Sequence, residues 1–350
     1  MEKVSAKNRC YGLDFLKYFC CLLVIFIHMD LPQAMEWGVL PLTRVAVPIF
    51  FMITGYFYEQ TCQKGREGKQ IKKVFWLAVG ANALHLGWAL AKLILNGESL
   101  VNYLKGFLQK DALLNFLVFN QPPYRISLWY INGLLILLIV VFLLQKAGVQ
   151  SLKKLYLLIP MLLVVNLLLG TYSFVFFDAD IPLCYTRNGM LCGLPYFLLG
   201  DFINHYKIRL KNPLLVVGII VFSFFSVIEC CILREKGLLL KADHLFGTFF
   251  LVVFIFSWFV NNEPWLSNKK IVCLVAGLGA KYSFVIYIIH SIFIEFWGKG
   301  VRIVASRFPA WEVVLQYVGP FFILVLSTTA AVVWHQVKNR FIHKKGSHRS

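Results

Sequence analysis

Runs of about 17–25 apolar residues, the length that carries a helix across a bilayer, recur along the whole chain. They constrain the fold more than any other feature. The spacing predicts spans over 11–30, 41–58, 74–95, 128–145, 154–171, 189–206, 212–232, 245–261, 275–297 and 314–337. Of the 350 residues, 59% are hydrophobic and only 15% charged, with a mean hydropathy of +0.70. A water-soluble domain of that size needs far more polar surface. The expectation is an all-α, polytopic membrane bundle of about ten helices. One domain covers 1–340, and a basic tail follows at 341–350. The first apolar run has no small-residue cleavage site behind it and reads as a retained helix.

An even number of spans puts both termini on one side. The formal net charge is +18. Its distribution says which side, because Lys and Arg collect in cytoplasmic segments. With the N-terminus inside, the inner segments hold Lys3, Lys7 and Arg9, then Lys64, Arg66, Lys69, Lys72 and Lys73. Lys17 adds to the first group, and further along the inner segments hold Lys146, Lys153 and Lys154, then Lys207, Arg209 and Lys211, then Lys269 and Lys270, and finally Lys338, Arg340, Lys344, Lys345 and Arg349. Both ends are therefore expected in the cytoplasm. The positive charge reads as topology, and nucleic acid is not expected as a partner. The nine cysteines lie mostly inside apolar runs without metal-ligand spacing, so no metal site is expected. The longest outer connection, about 96–127, is apolar at near-helical spacing and reads as an amphipathic surface segment.

The first span, LKYFCCLLVIFIHM from Leu16 to Met29, keeps two ionisable groups in an apolar setting. Lys17 and His28 are eleven residues apart. At about 100° and 1.5 Å per residue they fall on one stripe of a helix, about 16 Å apart along its axis. Lys17 lies toward the cytoplasm, with Asp14 one turn away as a local partner. His28 lies toward the outer end. A lysine near a helix end commonly snorkels to the headgroups, and a membrane histidine can serve helix packing. Ionisable groups inside the bilayer are costly, however, and usually face a pathway or cavity. An elongated donor with an anionic head and a reactive tip fits this stripe. Acyl-coenzyme A has that shape, and an imidazole suits deprotonation of a hydroxyl or transient acyl carriage near neutral pH.

The run YGLDFLKYFCCLLVIFIHM, followed by VAVPIFFMITGYFY, resembles the start of the acyltransferase-3 family of membrane acyltransferases. Lys17 and His28 match the family's basic residue, ten intervening residues, then histidine. Pro48, Phe50, Phe51, Thr54, Gly55 and Tyr56 match its second-helix signature. SLWYI (Ser127 to Ile131), YFLLGDFI (Tyr196 to Ile203) and SFVIYIIH (Ser283 to His290) look like further landmarks. The resemblance implies transfer of an acyl group, acetyl being the simplest, from cytoplasmic acyl-CoA to a hydroxyl of an extracytoplasmic acceptor such as a cell-surface sugar. It implies His28 as the catalytic residue, a bacterial plasma membrane, and no bound cofactor beyond the co-substrate. Where the family often has Arg-x-x-Arg, this chain has KQIKKVFW, so Lys69, Lys72 and Lys73 stand in as donor-binding cations beside Lys17.

The same architecture resembles the membrane half of the vancomycin-resistance serine racemases. That likeness implies an alternative, a transporter for a small solute such as L-serine. With no esterase-like domain expected after the helices, a relay to a fused partner is not expected, and the lack of a racemase domain weakens the transporter alternative without removing it. Arg44, Tyr287, His290 and Glu229 are the remaining candidates, for an acceptor-side cavity. Each also has a packing or anchoring explanation, and Glu229 inside an apolar helix demands a partner. Trp129 and Tyr130 read most simply as interfacial belt residues, Asn132 as interhelical glue, and Gly55 as a point of close helix approach.

Overall fold

The computed structural model describes residues 9–149, 151–238 and 244–347, with side chains as far as residue 340. Among the described residues every regular element is helical. Eight helices are long and apolar enough to cross a membrane. Two shorter ones fill the remaining expected spans. One is Phe246–Asn261. The other is Leu194–His205, entered through a five-residue π-helical turn, Gly189–Gly193. The fold is an all-α polytopic bundle, and each predicted span has its helix.

Boundaries moved where polar residues continue a helix beyond its apolar run. The third span begins at Glu67, so Lys69, Lys72 and Lys73 ride on its first turns. The last two spans lengthen to Lys270–Arg307 and Ala310–Ser347. Of the basic tail at 341–350, the backbone to Ser347 continues the last helix, and the rest lies outside the described residues. The long connection expected at about 96–127 holds two short helices, Leu100–Phe107 and Lys110–Leu117. Ser99 caps the first by accepting from the Asn102 amide at 3.3 Å.

Two compact units are present, each built from separate stretches of chain. The first comprises 1–46, 210–223 and 253–350, and the second 47–209 and 224–252. In the first unit we label three helices: α1 (Tyr11–His28), α2 (Lys270–Arg307) and α3 (Ala310–Ser347). Leu13, Leu16, Cys20 and Val24 form the buried stripe of α1 at helical spacing.

α1 runs parallel to α2. The Arg9 guanidinium donates to the Ala276 carbonyl at 2.9 Å, and the Cys21 thiol lies 3.6 Å from the Ser283 carbonyl. Gly279 makes the approach possible: a β-carbon there would collide with the Asp14 carbonyl and sit 3.1 Å from the Tyr18 nitrogen. Ala276, Gly279 and Ser283 thus form a small-residue face, the usual means of bringing membrane helices close. α3 runs antiparallel to α1, with Tyr18 bonded to Thr328 at 3.0 Å and Phe26 edge-on to Phe321 at 5.7 Å. A parallel first and ninth span requires that the two shorter helices either both cross the bilayer or both do not.

Remote glutamates cap two helix starts. In the first unit Glu263 accepts the Tyr11 and Gly12 amides at 2.7 and 2.6 Å, and the Cys10 thiol at 3.1 Å. In the second unit Glu229 accepts the Phe246 and Gly247 amides at 2.7 and 3.0 Å, and also the Tyr172 hydroxyl. Each places a carboxylate on the orphan donors and the positive end of a helix.

The second unit packs by backbone contact as well. Gly55 faces the Phe197 carbonyl and Gly200 the Met52 carbonyl, with no room for a side chain at either. Trp129 and Tyr130, expected at the membrane interface, are buried instead. Phe51 packs against both rings, at 6.3 and 5.0 Å. Asn132 is interhelical glue as expected: its side-chain oxygen accepts from Asn82 at 2.8 Å, and Asn82 in turn accepts from the Tyr124 hydroxyl at 2.6 Å.

Candidate functional site

The candidate site is built on the parallel pair α1 and α2. α1 is unbroken from Tyr11 to His28, so Lys17 and His28 keep the common stripe that their spacing demands. At the N-terminal end the Asp14 carboxylate is shared. One oxygen accepts from Lys17 and the other from Arg9, both at 2.9 Å. Asp14 is buried, while the two cations are about a quarter exposed at 24% and 28%. Asp14 thus gathers two cations at the helix start that the Glu263 carboxylate caps. The Asp14–Lys17 pair is the one that sequence spacing anticipates. Arg9 is the addition, and its role depends on α2, whose Ala276 carbonyl holds the guanidinium.

At the other end His28 meets His290. Their ring centroids are 5.5 Å apart with a 34° angle between planes. His28 is exposed, whereas His290 is 1% exposed. Tyr287, one turn before His290 on α2, is also buried, with its ring 5.9 Å from the histidine. The His290 Nδ1 lies 2.6 Å from the Tyr287 carbonyl oxygen. A carbonyl can only accept, so Nδ1 carries the hydrogen and donates it. In the neutral ring Nε2 then holds the lone pair. The site therefore presents one accessible imidazole backed by a buried one of defined tautomer. Such a pair can accept a proton from a hydroxyl and keep the resulting imidazolium oriented.

Arg44 belongs to the same unit. It is half-buried and ends the short helix Leu40–Thr43, whose carbonyl at Pro41 accepts from the Arg44 amide at 3.4 Å. That short helix packs on α1. Lys69, Lys72 and Lys73 are exposed in the first turns of Glu67–Leu95, in the second unit. Glu229 is in the second unit too, and its carboxylate serves the helix start described above. Burial, followed by the bond to Glu229, pushes the Tyr172 phenol above its ordinary value, so it remains a donor to that carboxylate.

Of the sequence-derived candidates, the fold thus brings His28, Tyr287 and His290 together. Lys17 lies on the same stripe as His28. Arg9 was missed because Asp14 lies five residues away, outside the usual helical pair spacing.

The sequence profile of the acyltransferase-3 family, an acyltransferase domain, matches residues 11–336. An amino-acid racemase of Enterococcus faecalis is 28% identical over 314 residues, covering 82% of this chain and 42% of that protein. A second amino-acid racemase of Enterococcus faecalis is 27% identical over 242 residues, covering 62% of this chain and 32% of the relative. The chain spans less than half the length of the curated relatives it matches. No solved structure matches it. Lys17, His28 and His290 all fall inside the matched stretch, and with nearly the whole bundle covered by the profile, the chain belongs to the acyltransferase-3 family.

Proposed function

We propose that this protein is a membrane O-acyltransferase. It moves an acyl group from a cytoplasmic coenzyme A thioester to a hydroxyl of an extracytoplasmic acceptor such as a cell-surface sugar. One observation carries the reading: an unbroken helix holds a cation cluster at one end and, about 16 Å along the same stripe, a histidine backed by a second histidine. The donor's phosphates rest against Lys17 and Arg9 at the start of α1. Its pantetheine arm follows α1 outward and delivers the thioester to His28. His28 accepts the proton of the attacking hydroxyl. The new ester bond forms as the carbon–sulfur bond breaks, and the proton passes to the departing thiolate. His290 and Tyr287 hold the far side of the imidazole, and Arg44 meets an anionic group of the acceptor. The bacterial plasma membrane is the compartment that such an acceptor implies.

The test uses membranes carrying the full chain, radiolabelled acyl-CoA, and an extract of cell-surface glycans. Transfer is expected with the native chain and lost with His28→Ala. Transfer unaffected by that substitution would remove His28 from the reaction.

The resemblance to the membrane half of serine racemases implies a second reading, uptake of a small amino acid such as L-serine through the same bundle, and the curated relatives named amino-acid racemases are in keeping with that resemblance. Saturable uptake of labelled serine into vesicles, without acyl turnover, would favour it.

A further inference from the structure

A groove of about 320 Å³ lies between α2 and α3, and its α2 wall begins one turn beyond His290. Phe293, Trp297, Gly300 and Val304 line it from α2, and Leu315 and Phe322 from α3. Phe293, Trp297 and Val304 follow His290 at three, seven and fourteen residues, and so continue the face of α2 that carries the histidine. From Phe293 to Val304 the wall runs about 16 Å. The Trp297 and Phe322 rings meet 4.8 Å apart and form part of it. Met29, the residue after His28, packs against Gly319 together with Trp297. The groove's inner end is thus tied to the site by both helices that build the site.

α1 and α2 are parallel. The groove begins where α1 ends, so a donor that followed α1 from Lys17 to His28 and continued in the same direction would reach it past Met29 and Trp297. An acetyl group would end at the histidines and leave the groove unused. We propose that the groove holds the hydrocarbon chain of the transferred acyl group, and that the preferred donor is a medium-chain acyl thioester rather than acetyl-CoA. The assignment rests on the acyl-transfer reading above and specifies its donor. The occupant is the donor's chain, on the ground of continuity with the histidine face. A bilayer lipid occupying the same place is the outcome that the test excludes.

Gly300 provides the means. A β-carbon added there meets nothing within 4 Å, so Gly300→Leu places a side chain in the groove wall without a collision at its β-carbon. The full chain in lipid nanodiscs is supplied with the cell-surface glycan extract as acceptor and with acyl-CoA of two, four, eight and twelve carbons, and kcat/KM is measured for each. The native chain is expected to favour eight or twelve carbons over two. Gly300→Leu should shift the optimum toward shorter chains, by roughly tenfold or more against the longest. A non-hydrolysable dodecyl-CoA thioether bearing a terminal diazirine should crosslink within 293–304, and excess phosphatidylglycerol should not displace it. A profile peaked at acetyl and unmoved by Gly300→Leu overturns the groove assignment and leaves acyl transfer intact. Displacement of the probe by phosphatidylglycerol makes the groove a lipid site and overturns it as well. Absence of transfer from every thioester overturns the donor assignment together with the reading beneath it.

Discussion

His28 and His290 bring their rings to within 5.5 Å across a separation of 262 residues, the same separation that spans the Cys21–Ser283 contact two turns earlier. The shared offset means that α1 and α2 run in register over these two turns, so the histidine pair is a consequence of their parallel packing. The two residues form one site only while that register holds.

The first prediction concerns the pair itself. His28→Ala should lower acyl transfer by about 10²–10⁴-fold, the usual contribution of a positioned acid–base group. His290→Gln should lower kcat with little change in the KM for the donor, because it supports the imidazole without touching the donor's phosphates. Steady-state kinetics on purified protein in nanodiscs separates the two effects.

Register gives the second prediction. Gly279→Val forces a side chain into the backbone of α1 at Asp14. It should destabilise the first unit by about 1–3 kcal/mol, the common cost of overpacking. Because the histidines depend on the same packing, activity should fall by more than loss of stability explains. Thermal unfolding in detergent, compared with residual transfer well below the midpoint, checks this.

Lys17 supports a third. Lys17→Gln removes one of the two cations on Asp14 and should raise the donor's KM by about tenfold, the value of one charge-assisted hydrogen bond. kcat should be nearly unchanged, and Lys17→Arg should restore most of the loss. An equal loss in kcat would place Lys17 in the chemistry instead.

The fourth concerns the cap on α1. Burial first, and then the hydrogen bond to Glu263, push the Cys10 thiol up to about 12. An ordinary cysteine is about half ionised at pH 8.5, and thiolate is the reactive form. Cys10 should therefore resist maleimide at pH 8.5 and label faster as pH rises toward 12. Glu263→Ala removes the raising partner and should speed labelling at pH 8.5. The same variant leaves the Tyr11 and Gly12 amides without their acceptor, at a cost of about 1–3 kcal/mol in unfolding free energy.

Much of this protein was legible without coordinates. Helix count and type follow from apolar run length, because backbone polar groups in lipid have no partners except their own helix. The stripe from Lys17 to His28 follows from helical periodicity alone, as does the local Asp14–Lys17 pair. Gly55 and Asn132 read correctly as contact residues, since small and amide side chains are the ordinary means of joining membrane helices.

Other features depend on which helices become neighbours, and a periodic pattern is silent on that. Trp129 and Tyr130 have the composition of an interfacial belt, and only the approach of Phe51 shows them buried. Glu229 resembled a cavity residue because a lone carboxylate in an apolar helix asks for a partner. The partner proved to be the start of Phe246–Asn261. Arg9 gained its place from the Ala276 carbonyl of a helix more than 250 residues away. Sequence alone determined a membrane bundle with a cation and an imidazole on one stripe, because helix geometry is local. Tertiary structure decided that His290, rather than any other polar residue, stands beside His28, because Gly279 lets two distant helices lie parallel and close enough for their side chains to meet.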